Sequence, residues 1–283
     1  MKKGQAIEKR IELLVSELFI KANNELRPDV LSALRTAYNR EKKGSPSRGM
    51  LRVLLENASI ARRESMPICQ DTGMAAVFVR IGIGAGLSGA DIRGAVTRGV
   101  ARAYDKGMFR KSVVGDPVIR KNTGDNTPAA IHIEFSSGKK IHISVMPKGF
   151  GSENKSKLIM LDPTAAPDDI ADACVSVVRS AGPDACPPYV LGVGLGGTME
   201  MSALMAKKAL LRPLGKRNPK RHLAAIERTV MEKSNALGVG VMGLGGRTTV
   251  LGVNIEAGPT HIAGLPLAVN LSCHALRSAS GVI

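Results

Sequence analysis

The sequence predicts a mixed α/β (α+β) fold: a helical N-terminal third, then mixed or antiparallel sheets with flanking helices. Three observations carry this. Ile7, Ile11, Leu14, Leu18 and Phe19 recur at helical spacing. Residues 130–145, A-I-H-I-E-F-S-S-G-K-K-I-H-I-S-V, alternate about a Ser-Ser-Gly turn as two strands do. Beyond them, apolar strand-like runs alternate with helical periods and glycine-rich turns. At 283 residues the chain can bury a full core, and with no Trp and 3% aromatics that core has to come from Val, Ile, Leu, Ala and Met.

Taken in order, a second helix starts at Pro28 and continues through Val30, Leu31, Leu34 and Tyr38, with proline suited to its first turn. Met50 to Ile60 gives a third. Residues 75–81 form a strand and 90–104 return to helical period. The alternating pair at 130–145 reads as a hairpin, with His132 and His142 as polar residues of a solvated face rather than metal ligands. Residues 167–181 form a helix with Asp168 and Asp169 in the first turn and Arg179 near the end, as the helix dipole favours. A strand at 188–195, a helix at 198–209 and a helix from His222 to Leu237 follow, then strands near 239–243 and 248–255. There is no repeat and no evident linker, so residues 1–283 read as a single domain.

Lys and Arg exceed Asp and Glu by 16. Such a charge suits nucleic acid, an anionic substrate or an acidic partner subunit. The densest basic stretch is 207–221, K-K-A-L-L-R-P-L-G-K-R-N-P-K-R. Two prolines and a glycine break it, so it reads as a helix end and a solvated or partner-facing loop. No zinc-finger spacing or aromatic RNA-binding motif accompanies it, so nucleic acid is not expected as a partner. Charges at Glu8, Lys9, Arg10, Glu12 and Glu17 interrupt the N-terminus, which reads as neither a signal peptide nor a membrane span. Four cysteines without an export signal suit a reducing, cytoplasmic setting and no membrane.

Gly192, Gly194 and Gly197 match G-x-G-x-x-G between a strand and a helix. A dinucleotide site needs an acid about 20 residues further on, and past Glu200 none stands before Glu227. The better expectation is a backbone that closely approaches another element. Cys174 lies on the apolar side of a helix and reads as core. Cys69, Cys186 and Cys273 each stand in or beside a loop: P-I-C-Q-D-T-G, D-A-C-P-P-Y and L-S-C-H-A-L-R. Residue patterns alone leave them open as buried free thiols or as three ligands of an iron–sulfur cluster with one iron exposed.

The ordered set is more specific than its parts. C-Q-D-T-G, N-T-G-D-N-T-P-A (122–129), K-G-F-G-S-E-N-K (148–155), A-C-P-P-Y, G-G-T and a final S-C resemble the class I, iron–sulfur-dependent fumarate hydratases and the L-tartrate dehydratases, from about residue 5 to 280. The resemblance implies a fold like that family's N-terminal domain. It implies that Cys69, Cys186 and Cys273 hold a 4Fe–4S cluster whose fourth iron takes the substrate. Gln70 and Asp71 match residues at the substrate, with Asp71 near the proton relay. Arg110, in M-F-R-K-S, corresponds to an arginine that grips a carboxylate, although its flanks differ. Gly149 falls in the glycine-rich substrate loop, and His261, in G-P-T-H, matches a histidine that supports the site.

Single-chain members of that family continue well past the last cysteine, whereas this chain stops at Ile283. It therefore resembles the α subunit of the two-subunit form. The implied partners are a β subunit and a small dicarboxylate, with an α homodimer or an α2β2 assembly. The implied reaction is reversible hydration of fumarate to malate, with L-tartrate dehydration and methyl-fumarate hydration as alternatives. A basic binding module using residues 207–221 is the reading from another class.

Overall fold

A computed structural model describes residues 2–87 and 89–283. The helices, in chain order, are α1 (Lys2–Asn24), α2 (Pro28–Arg40), α3 (Pro46–Arg63), α4 (Ile92–Lys106), α5 (Phe150–Glu153), α6 (Pro167–Ala181), α7 (Met199–Ala209) and α8 (Arg221–Ala236). The strands are β1 (Met74–Gly82), β2 (Ala130–Ser136), β3 (Ile141–Lys148), β4 (Lys157–Leu161), β5 (Tyr189–Gly197), β6 (Val250–Thr260), β7 (Leu265–Ser272) and β8 (Ala279–Val282). The mixed α/β expectation holds. Residues 1–27, 58–150 and 277–283 form one compact unit, and 28–57 with 151–276 form a second. Among the described residues, no helix is long and apolar enough to cross a membrane.

The first unit is built on a four-stranded sheet of order β2-β1-β3-β8. This corrects the hairpin. β2 and β3 are both strands, but they do not pair with each other. β1 lies between them, parallel to β2 and antiparallel to β3. The reason is burial: β1 (M-A-A-V-F-V-R-I-G) is buried along nearly its whole length, whereas β2 is largely half-exposed and suits an edge. The link between β2 and β3 wraps the end of β1, where Gly82 N donates to Lys140 O at 2.9 Å and Ile83 N to Ser136 O at 2.9 Å. His132 stands opposite Phe78 in the β1–β2 register and stacks on its ring, with centroids 5.1 Å apart.

α1 and α4 contribute Ile11, Val15, Phe19, Val96, Val100 and Tyr104 to a core with the inner faces of β1 and β3. Their backbones meet at Gly99, where a methyl group would lie 2.7 Å from the Glu12 carbonyl oxygen. Asp91 caps α4 by accepting from Gly94 N at 2.8 Å.

The second unit carries a sheet of order β4-β7-β5-β6, in which β5 is parallel to β6 and antiparallel to β7. Tyr189, Leu191, Val193 and Leu195 point to one face and pack with α6 and α8 through Cys174, Val178, Ile226 and Val230. The alternate positions Gly192 and Gly194 face α7. A methyl group on Gly192 would lie 2.1 Å from Ala206 O, and one on Gly194 1.9 Å from Ser202 O. The G-x-G-x-x-G match is therefore helix-on-sheet packing at backbone contact, as the close-approach expectation held.

The helix at 167–181 falls at its expected bounds, with Pro167 at its start and the Asp169 carboxylate accepting from Ala166 N at 2.8 Å. The strand expected near 239–243 is instead a 3-10 turn over Val241–Gly243. Gly240, Met242, Gly243 and Gly245 have φ of +69°, +51°, +77° and +73°, a left-handed path that no strand follows. The strands β4, β7 and β8 were not expected from the sequence.

Candidate active site

The first unit fixes the turn at 68–73 from several sides. Asp71 Oδ1 accepts from Gly73 N at 2.9 Å, and Oδ2 accepts from Phe150 N at 2.9 Å. The carboxylate is thus oriented by two amides, and Gly149 lies beside it: a methyl group there would meet Asp71 Oδ2 at 3.2 Å. Gly73 has φ +77°, and its α-carbon faces the β3 backbone so closely that a methyl group would sit 2.7 Å from Lys148 N. Only glycine meets both demands.

The following β1 strand starts from this turn, so three buried groups hold it. Tyr104, at 0% exposure, shares its hydroxyl proton between the carbonyls of Thr72 (2.6 Å) and Gly73 (2.8 Å). Burial raises its phenol pKa above the ordinary value, while the nearby Arg277 charge opposes that rise. It is accordingly a permanent neutral donor. Asn126, at 0% exposure and φ +64°, donates to Gly73 O at 3.1 Å and accepts from Ser112 N (2.7 Å) and Val113 N (3.2 Å). Thr72 Oγ1 donates to Arg110 O at 2.8 Å. The N-T-G-D-N-T-P-A motif therefore staples the 110–113 segment to the 71–73 turn. Cys69 is half-buried, and Gln70 and Arg110 are exposed. The structure brings Cys69, Gln70, Asp71, Arg110 and Gly149 into one neighbourhood of the first unit.

In the second unit, Cys186 and Cys273 stand on loops that are bonded together. His274 N donates to Cys186 O at 3.3 Å, and His274 Nδ1 lies 3.2 Å from the same oxygen. Cys186 is exposed and has φ +57°, unusual for a residue with a side chain. Both thiols are also close enough to the buried Tyr189 phenol to add to its upward shift, which is led by burial and reaches about 12. None of the four cysteines forms a disulfide. Among the described residues, no group of three or more His, Cys, Asp or Glu is placed to hold a single metal ion. His261 is exposed in the turn between β6 and β7, at the other end of β7 from Cys273.

Cys174 is core, as expected: at 0% exposure, burial pushes its thiol up to about 12. Its proton is bound more tightly in the folded state, so this contribution is full below the unfolded pKa of about 8.5 and is lost as pH rises toward the folded value. Iodoacetamide at pH 8 is expected to alkylate Cys186 readily and to leave Cys174 unmodified until the chain is denatured. Mass mapping of the labelled peptides checks both halves, and early labelling of Cys174 would contradict its burial.

The basic stretch at 207–221 is partly committed within the unit. Lys207 pairs with Glu153, and Arg212 pairs with Glu227 and, at 3.3 Å, with Glu256. Asn218 Nδ2 donates to Ile255 O at 2.9 Å. These contacts fasten the loop to β6 and α8, which leaves less of it for a nucleic-acid surface than the charge count suggested. A cleft of about 420 Å³ between α2 and the 247–251 segment, with Arg40 and Arg247 in its lining, holds none of the expected site residues.

Sequence reasoning missed Tyr104, Asn126 and Arg277. Asn126 lay in a motif that carried no assigned role. Tyr104 and Arg277 carried no local signal, because their partners are distant in the chain.

The profile of the fumarate hydratase (Fumerase) family matches residues 12–282. A protein of Methanocaldococcus jannaschii named putative L(+)-tartrate dehydratase subunit alpha is 40% identical over 277 residues, covering 95% of this chain and 96% of that one. A putative fumarate hydratase class I of Geobacillus stearothermophilus is 29% identical over 92% of this chain, which spans 52% of that protein. The L(+)-tartrate dehydratase subunit alpha of Escherichia coli is 29% identical over 97% of this chain and 91% of its own length.

Proposed function

From the premise that the chain belongs to the fumarate hydratase (Fumerase) family, we propose that it is the α subunit of a hydro-lyase that hydrates fumarate reversibly to (S)-malate. The observation that carries this reading is the Asp71 carboxylate, held by two amides beside Gly149 on the turn that also bears Cys69 and Gln70.

The proposed cofactor is a 4Fe–4S cluster on Cys69, Cys186 and Cys273. The donor set fits in its chemistry: three thiols on loops and outside any disulfide, none as deeply buried as Cys174, with the Cys186 and Cys273 loops already bonded together. When bound, such a cluster with three protein ligands supplies a Lewis-acidic iron with a position open to a substrate oxygen.

The chain's own residues have distinct roles in this reading. Asp71 is oriented rather than free, so its remaining lone pairs point in a fixed direction and can hold or pass the proton on carbon. Arg110 presents a planar fork to the distal carboxylate, its backbone fixed by Thr72. Gly149 and Gln70 line the approach, the first by having no side chain. His261 is a supporting residue at most. The positive balance of 16 charges draws in a doubly charged anion, with an on-rate that falls as salt rises. A β subunit supplies the remaining groups, a reading supported by relatives named as alpha subunits.

A second reading, L-tartrate dehydration to oxaloacetate, is favoured by relatives whose lengths match this chain and whose names carry that activity. The two hydroxy acids, malate and tartrate, differ by one hydroxyl. The test is anaerobic: reconstitute the chain with iron and sulfide, add its partner subunit, and follow fumarate loss alongside oxaloacetate formation from L-tartrate. Fumarate turnover that needs both chains is the expected result. Turnover of tartrate alone transfers the assignment to the second reading. Iron-free protein after reconstitution overturns the cluster.

A further inference from the structure

Arg277 stands four residues after Cys273 in sequence but belongs to the first unit, with Cys69 and Asp71. It is 3% exposed. Its Nη1 donates to Asn23 Oδ1 at 3.0 Å, and its Nε is buried with no partner. Among the described residues it makes no ion pair. A buried guanidinium with no ion pair is costly, which raises the question of what uses its charge.

Its surroundings point to that use. A methyl group on Gly149 would meet Asp71 Oδ2 at 3.2 Å and Arg277 Nη2 at 3.5 Å, so guanidinium and carboxylate both border the same glycine. Behind the turn, Asn23 links Arg277 to Ile68, whose amide donates to Asn23 O at 2.9 Å. The Arg277 charge also reaches the Tyr104 phenol that holds Thr72 and Gly73. Arg277 thus approaches the 68–73 turn by three routes. Its enclosure keeps it from meeting a diffusing substrate.

We propose that Arg277 is a positioning residue of the hydro-lyase site: its buried guanidinium, braced by Asn23, sets the 68–73 turn and the Asp71 carboxylate facing Gly149. The catalytic half rests on the hydro-lyase reading, while the positioning half stands without it.

The test uses Arg277→Met and Arg277→Lys, with two measurements. In the cluster-free chain, amide exchange across residues 66–74 is expected to rise about tenfold in Arg277→Met, the size of one lost charge-assisted hydrogen bond, with α6 and β5 unchanged. In the reconstituted two-chain enzyme, kcat is expected to fall about 100-fold with KM within about threefold, because a displaced catalytic group loses rate rather than binding. Arg277→Lys should recover at least about tenfold of the lost kcat by restoring the charge. Removing an unpaired buried charge should leave the melting temperature nearly unchanged, which separates positioning from bulk stability. A raised KM at unchanged kcat would make Arg277 a substrate ligand and overturn the proposal. So would unchanged exchange at 66–74, or a lowered melting temperature with normal kcat. Should Arg277→Met fail to fold, Arg277→Lys is read alone: kcat lowered by up to about tenfold at unchanged KM supports the proposal, and raised KM at unchanged kcat overturns it. If wild type shows no turnover of either substrate while exchange responds, the hydro-lyase reading fails and the positioning role stands.

Discussion

Cys186→Ser is expected to lose most of the iron and sulfide bound after anaerobic reconstitution and to cut turnover with the partner subunit by at least about a thousandfold. That loss corresponds to the several kcal/mol that a Lewis-acidic metal contributes to a transition state. The serine hydroxyl is hard and stays protonated where a thiolate would bind soft iron. The substitution is otherwise mild. Cys186 is exposed, its sulfur anchors no core, and its backbone carbonyl, which holds the His274 loop, is unchanged. Far-ultraviolet circular dichroism and the melting temperature should therefore match wild type while the visible absorbance of the cluster disappears. Cys174→Ala is the matched control: it removes the thiol that lies in the hydrophobic core and should keep its iron. Full iron content in Cys186→Ser would remove that residue from the ligand set.

The second large effect is on stability. Gly194→Ala is expected to destabilise the second unit by about 4 kcal/mol, at the upper end for one overpacking change. The added carbon would lie 1.9 Å from the Ser202 carbonyl oxygen and 2.7 Å from Ala206 N, both backbone atoms of α7, so no side chain can swing aside. Either α7 lifts off β5 or the strand buckles. Gly49→Ala makes the opposite prediction. Gly49 lies on the exposed face of α3 with open space around it, and alanine there should add about 1 kcal/mol by helix propensity. Urea unfolding of both variants reads the two signs together. Equal stability of wild type and Gly194→Ala would mean that α7 does not pack on β5 at this distance.

The parts that the sequence made legible are those whose cause is local. The helix at 167–181 carries its own proline start, acidic first turn and apolar face, and it falls where expected. The three loop cysteines stood out because proline and glycine neighbours mark loops. The hairpin at 130–145 failed because alternation identifies a strand but not its neighbour. β1, made more than 45 residues earlier, outcompetes β3 for the edge of β2 because it is the more apolar strand. The strand at 239–243 failed because its glycines serve left-handed φ, which composition does not distinguish from a strand break. The site was half legible. Asp71 and Gly149 came from motif positions, and the structure joins them through Phe150 N. The bonds from Tyr104 and Asn126 to Gly73 O and from Arg277 to Asn23 Oδ1 span 31 to 254 residues, separations that no single window of sequence covers.

The division of the first unit into residues 1–27, 58–150 and 277–283 sets the order in which it can be completed as the chain is made. β8 zips onto β3 through paired bonds between Ile141 and Ile283 at 3.0 and 2.9 Å, so β3 keeps an open edge until residues 279–283 emerge. Some 200 residues separate the 68–73 turn from Arg277, a wait of roughly ten seconds or more at ordinary rates of translation. During that interval residues 151–276, the larger part of the second unit, are synthesised. A nascent or truncated chain that ends before residue 277 thus carries Cys69 and Asp71 complete, yet lacks the guanidinium and the edge strand of the unit that holds them.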